Sequence, residues 1–242
     1  ISLVGKYVEL HDAYISVVEA LKSAGYKYSK KININWIDSE DLEKENVNLK
    51  EIFKNTNGIL VPGGFGTRGI SGKIKAINYA RVNKIPFLGI CLGMQLAVIE
   101  FARNVAGIKD ASSTEFDEMC KNPVIDLMAD QKSIINMGGT LRLGNYECSL
   151  KEKTLAHKVY KEDKILERHR HRYEFNNEYK ELLEQKGLVF SGINEASNLV
   201  EIVEIPTHPH FIASQFHPEF KSRPTRPHPL FDSFIKASID KK

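Results

Sequence analysis

Short apolar runs, each followed by a helical pattern, recur through residues 1–107, and this alternation constrains the fold more than any other feature of the chain. ISLVGKY (1–7) reads as a strand, and Asp12 is placed to cap a helix with apolar positions Ile15, Val18 and Leu21 that ends near Gly25. KININWI (31–37) alternates as a strand does, LKEIFKN (49–55) reads as helix, and GILV (58–61) is a short buried strand stopped by Pro62. A helical pattern over 73–83, a buried strand PFLGI (86–90) and an apolar helix over 92–107 follow. Strands joined through helices pair in parallel, so the pattern predicts an α/β fold: a doubly wound sheet with helices on both faces.

The second half has a different texture. TLRLGNYECSL (140–150), KILERHRHRYEF (164–175), LVFSGIN (188–194), LVEIVEI (199–205) and FIASQF (211–216) read as strands, with helices near 178–186 and 229–239. Successive strands imply hairpins added to the parallel core, hence a mixed, mainly parallel sheet in one domain spanning 1–242. The segment 108–136 is the least legible part of the chain.

A hydrophobic content of 42% in 242 residues suffices for one full α/β core and excludes a disordered chain. The net charge of +3 is spread out, and the densest basic cluster, Arg168 to Arg172, is short and interrupted by histidines, so no nucleic-acid partner is expected. Cys91, Cys120 and Cys148 are too scattered for a disulfide framework or a zinc cluster, and no apolar run reaches membrane-spanning length. The expectation is a cytoplasmic protein without a membrane partner. The chain starts at Ile1 with no methionine or signal peptide, which reads as a piece of a longer chain.

GFGTRG (64–69) matches the glycine pattern that cradles a dinucleotide's pyrophosphate, but the next strand ends in FLGIC with no carboxylate for a ribose. The neighbouring GISGKI lacks the glycine at 67 and the Ser or Thr at 74 of a phosphate loop. Both phosphate readings fail, and a glycine-rich surface turn is the plain alternative.

LGICLGMQ sets Cys91 between Gly89 and Gly93 at a strand-to-helix junction, the arrangement of a nucleophile elbow. The helix N-terminus favours a thiolate there, although the pattern alone leaves an inert buried cysteine open. QFHPEF (215–220) supplies a base, His217, and an orienting carboxylate, Glu219, on one side of an extended segment around Pro218. Several other histidines compete, and His169 and His171 could bind a metal. An isolated H-x-H without a third ligand reads as a solvated strand face, and no metal is expected; His208, His210 and His228 sit beside prolines in turns.

Together, PGG, LGICLGMQ and FHPEF resemble a class I, triad-type glutamine amidotransferase domain of flavodoxin-like fold. VGKY, PGGFGTRG, STEFD (113–117), MGGTLRLG (137–144), ERHRHRYEFN (167–176) and FHPEFKSRP extend the match over nearly the whole chain. These motifs are similar to the C-terminal glutaminase domain of the CTP synthase family.

The resemblance implies attack of the Cys91 thiolate on the side-chain amide of L-glutamine, with His217 as acid and base, Glu219 orienting it, and the Gly64 and Leu92 amides as oxyanion hole. It places Arg172 on the substrate's α-carboxylate, Glu115 on its α-ammonium, Gln95 at the amino-acid end and Phe65 against the aliphatic stem, with Gly63, Gly93 and Met94 also lining the site. It implies no cofactor in this domain. In the full-length enzyme a separate synthetase domain uses ATP and Mg²⁺ to turn UTP into CTP, GTP activates, and a homotetramer and filaments form. Two other readings stay open: a glutaminase or γ-glutamyl hydrolase with another acceptor, and a non-catalytic regulatory or assembly module.

Overall fold

The computed structural model describes residues 1–6, 8–127 and 141–241. Tyr7 of the ISLVGKY run and residues 137–140 of the MGGTLRLG motif lie outside the described residues.

The first half winds as the alternation predicts. β1 (Ser2–Gly5) leads to α1 (Ile15–Lys27) and β2 (Asn35–Asp38); α2 (Leu49–Ile52), β3 (Ile59–Val61), α3 (Ile70–Val82), β4 (Phe87–Ile90) and α4 (Leu92–Asn104) follow. One local expectation fails. Asp12 does not cap α1: it lies inside a 3₁₀ turn (His11–Tyr14) that runs into the helix, whose N-cap is Tyr14 without a side-chain bond. The backbone amides of the first α turn are thus reached through a tighter preceding turn, and no side-chain cap is needed.

The chain then builds β5 (Ala111–Ser113), β6 (Asn122–Leu127), β7 (Arg142–Leu150), α5 (Leu155–Tyr160), β8 (Lys164–His171), β9 (Tyr173–Phe175), α6 (Lys180–Gln185), β10 (Val189–Asn194), β11 (Leu199–Glu204), β12 (Phe211–Ser214) and α7 (Pro229–Asp240). The main sheet has the order β2-β1-β3-β4-β12-β11-β10-β7-β8. Pairings from β2 to β12 are parallel and those from β12 to β8 antiparallel, so the sheet is mixed as expected. A small second sheet, β5-β6-β9, was not anticipated, and the single strand expected over 164–175 is broken at Arg172, with β8 and β9 in different sheets.

Two apolar layers cover the main sheet. On one face, α3 and α4 contribute Ile74, Ile77, Met94, Leu96 and Phe101; on the other, α1, α5 and α7 contribute Val17, Leu21, Tyr160, Leu230 and Phe234. Among the described residues no helix is long and apolar enough to cross a membrane.

The parallel half positions the site. In an open parallel sheet, ligands bind beyond the carboxyl ends of the strands. Lys6 follows β1, Gly63 and Gly64 follow β3, Cys91 follows β4, and Gln215 and His217 follow β12, so all of these come to one edge.

Candidate active site

Cys91 sits between β4 and α4 with φ 52° and ψ −105°, a conformation that costs a residue with a Cβ and that the surroundings must impose. Its backbone is pinned on both sides: its N–H donates to Ser214 O at 2.7 Å, and its carbonyl accepts from Met94 N at 2.9 Å. The flanking glycines are required by contact. A Cβ on Gly89 would lie 2.8 Å from the Gly93 carbonyl oxygen and 2.9 Å from Ala213 Cβ, and one on Gly93 would collide with the Val61 carbonyl. This is the elbow that the G-x-C-x-G spacing predicts.

His217 and Cys91 meet over Gly63, where a Cβ would lie 2.9 Å from His217 Cε1 and 3.4 Å from Cys91 Cβ. His217 Nδ1–H donates to Glu219 Oε1 at 2.7 Å, and its Nε2 is buried without a nitrogen or oxygen partner among the described residues. Pro218 opens a 3₁₀ turn (Pro218–Lys221), so the two side chains are joined by a turn where an extended segment was expected. Burial works against a charged ring, but the Cys91 sulfur and the Glu219 carboxylate outweigh it and raise His217 to about 10. The arrangement is that of an imidazolium held between a sulfur and a carboxylate.

Leu92 opens α4, so its N–H precedes the first helical hydrogen bond and points out of the helix N-terminus beside Cys91. Gly64 lies opposite: a Cβ there would lie 3.4 Å from Leu92 Cδ2 and 3.8 Å from Lys73 Nζ. Gly93 and Met94 are buried in the first turn of α4. Phe65, on the loop after β3, keeps 56% of its surface exposed, so it is available to a ligand stem or a partner surface.

That loop is tied down. The Lys6 ammonium donates to the carbonyls of Phe65 and Gly66, Glu115 Oε1 accepts from Gly66 N at 2.9 Å, and Arg68 pairs with Glu40 at 2.7 Å. Burial raises the Glu115 carboxyl against the pull of the Gly66 amide, Lys6, Arg172 and Lys73. Glu115 and Arg172, which the family resemblance sets at opposite ends of one zwitterion, therefore act on each other here.

Gln95 is buried. Its Nε2 donates to Tyr173 O at 2.9 Å and to Gln215 Oε1 at 3.2 Å, while Gln215 Nε2 donates to Cys91 Sγ at 3.7 Å. Gln215 and Lys73 were not singled out in the sequence. Lys73 is 1% exposed, and burial, with Lys6 and Arg68 adding to it, lowers its ammonium to about 7. A buried lysine inside a helix carries no sequence signal of its own.

The basic strand is not a solvated face. In β8 the residues alternate exposed and buried, with Arg168 and Arg170 outside and Glu167, His169 and His171 inside. His169 Nδ1 and His171 Nε2 share a proton at 2.9 Å, and Arg142 Nη1 meets Glu201 Oε1 at 2.6 Å beside them. Burial, with His217 and Arg142 adding to it, lowers His171 to about 3, so the pair is neutral. His208, His210 and His228 are also buried: His208 Nε2 bonds the Ala80 carbonyl at 3.1 Å, His210 Nε2 bonds Ser233 Oγ at 3.1 Å, and His228 Nδ1 accepts from Leu230 N to cap α7. Among the described residues no three His, Cys, Asp or Glu side chains converge to hold a metal ion.

Comparison with known proteins gives the arrangement its family. The model of the glutamine amidotransferase class-I family matches residues 9–237. A CTP synthase of Caldanaerobacter subterraneus subsp. tengcongensis is 62% identical over 242 residues, all of this chain and 45% of that protein. The Bacillus subtilis CTP synthase is 58% identical over 240 residues, 99% of this chain and 44% of that protein. The chain thus spans less than half the length of these curated relatives. Among solved structures, the glutaminase domain of Trypanosoma brucei CTPS, with bound acivicin, superposes with a TM-score of 0.93 at 39% identity, covering 100% of this chain and 94% of that one. The chain belongs to the class-I glutamine amidotransferase family, in the branch formed by the glutaminase domains of CTP synthases.

Proposed function

We propose that this chain hydrolyses L-glutamine to glutamate and ammonia through a Cys91 γ-glutamyl thioester. The observation that carries the reading is the assembly of Cys91, His217 and Glu219 at one sheet edge, with the His217–Glu219 bond at 2.7 Å. The Cys91 sulfur attacks the side-chain amide carbon, and the Leu92 and Gly64 amides receive the oxyanion. His217, protonated, gives its proton to the departing ammonia; the same ring then takes one from the water that attacks the thioester. Glu219 holds the ring in the required tautomer throughout. Arg172 takes the α-carboxylate and Glu115 the α-ammonium, since a buried zwitterion needs partners at both ends. Gln95, Phe65 and Gly63 complete the pocket's wall.

The ammonia then serves a synthetase domain of the same polypeptide, where ATP and Mg²⁺ activate UTP for amination to CTP. GTP activation, a homotetramer, filaments and a cytoplasmic location go with that full-length protein. Acivicin, bound by the trypanosome domain, is expected to occupy the Cys91 pocket of this chain as well.

The test is glutamate release from L-glutamine by the chain, and its loss in Cys91→Ala. Release from γ-glutamyl peptides but not from glutamine would favour a γ-glutamyl hydrolase. No release from any of these by folded protein would favour a regulatory module.

A further inference from the structure

The residue before the Phe-His-Pro-Glu run is part of the chemistry. Gln215 is 0% exposed, and its amide bridges two groups: Nε2 donates to Cys91 Sγ at 3.7 Å, and Oε1 accepts from Gln95 Nε2 at 3.2 Å. Its backbone is fixed as well, because its N–H donates to Glu201 O at 2.8 Å and the neighbouring Ser214 carbonyl accepts from Cys91 N at 2.7 Å. The sulfur and the amide that touches it are therefore held by one pair of strand ends.

The amide's orientation follows from the same network. An amide nitrogen carries two hydrogens, and those of Gln95 go to Tyr173 O at 2.9 Å and to Gln215 Oε1. Turning the Gln215 amide over would set two NH₂ groups against each other and a carbonyl oxygen against the sulfur. Gln95 thus forces Gln215 to present a donor to Cys91.

We propose that Gln215 is a catalytic residue that donates a hydrogen bond to the Cys91 thiolate, and that Gln95 is the positioning residue that locks its amide in that sense. The inference rests on the reading of Cys91 as nucleophile. A donor on the sulfur favours the thiolate over the thiol and restricts where its lone pairs point, complementing His217 on the other side. Among the described residues, the charged or titratable groups near the sulfur include His217, with Glu219 behind it, and Lys73 from α3 beyond Gly64; the first turn of α4 carries no acidic residue. Gln215→Met and Gln95→Met retain all of these residues.

The test is the pH dependence of Cys91 alkylation by iodoacetamide, followed by peptide mass mapping to separate it from Cys120 and Cys148. Wild type is compared with Gln215→Met and Gln95→Met. In Gln215→Met alkylation at a given pH is expected to slow, with its profile displaced to higher pH, and kcat for glutamine to fall roughly tenfold or more with KM nearly unchanged. Gln95→Met is expected to move the profile in the same direction by less. Unchanged profiles in variants that retain a cooperative thermal transition would overturn the proposal. If Gln215→Met does not fold, the Gln95→Met profile decides alone: a shift supports the lock and no shift refutes it. Alkylation needs no glutamine, so a shifted profile in a chain that releases no glutamate would uphold the hydrogen bond while refuting the glutaminase reading.

Discussion

Glu115 Oε1 accepts the backbone N–H of Gly66 at 2.9 Å, so the carboxylate that we propose for the substrate's ammonium anchors the loop carrying Gly64. The two roles separate by substitution. Glu115→Gln keeps an acceptor for Gly66 but removes the charge, and is expected to raise KM for glutamine roughly tenfold or more with little change in kcat. Glu115→Ala removes both, and should lower kcat as well. Steady-state glutamate release distinguishes them; an unchanged KM in Glu115→Gln would remove Glu115 from the ammonium site.

His217, raised to about 10 by the Cys91 sulfur and Glu219 against the effect of burial, sets an alkaline limit. A base whose folded value exceeds its unfolded value stabilises the fold fully below about 6.5, and this contribution is lost as pH rises through about 10. Glutamine turnover should decline over the same alkaline range, because the leaving ammonia needs the ring's proton. Imidazole signals in NMR are expected to titrate near that value in wild type and at lower pH in Cys91→Ala. Glu219→Gln should reduce kcat roughly ten- to a hundredfold.

The backbone of Cys91 gives a prediction with an inverted sign. Alanine is ordinarily the more stabilising of the two small residues, glycine costing about 0.5–1 kcal/mol more in a regular element. At φ 52° and ψ −105° the Cβ carries strain, so Cys91→Gly is expected to be more stable than Cys91→Ala by about 1 kcal/mol or more. Thermal or denaturant unfolding of the two variants measures the difference. An advantage for alanine would mean that the elbow is unstrained.

Lys73 costs stability at neutral pH. Burial lowers its folded value from 10.5 to about 7, so the penalty is absent above 10.5, grows as pH falls, and levels off below about 7. Lys73→Met should therefore be more stable than wild type at neutral pH, by at most about 5 kcal/mol, with the gain vanishing near the alkaline end. Because Lys73 Nζ lies behind Gly64, turnover in this variant should fall even as stability rises. Equal stability of the two proteins across the pH range would show that the ammonium is not desolvated.

These variants fall into those whose residues the sequence displays and those it hides. The elbow is legible because Gly89 and Gly93 leave no room for a side chain, so the geometry writes itself into residue identity. His217 and Glu219 are legible because Pro218 marks a constrained step between an acid–base pair, although the step is a 3₁₀ turn. The doubly wound half is legible because parallel strands must be joined through helices. β5, β6 and β9 are short and owe their pairing to distant partners, so local periodicity could not define them; the break at Arg172 leaves no mark in a run that reads as one strand. The burial of the His169–His171 pair is not legible because the carboxylates beside it, Glu201 and Glu174, come from other strands. Lys73 and Gln215 are ordinary residues of a helix and a strand end until the fold sets them beside Gly64 and Cys91.

Whether Cys91 is the nucleophile of a glutamine pocket is decided by intact-mass measurement after incubation with a glutamine analogue carrying an electrophile. One adduct per wild-type chain, competed away by L-glutamine and absent from Cys91→Ala, is the expected result. A folded wild-type chain that acquires no adduct, or one labelled equally in Cys91→Ala, would contradict it.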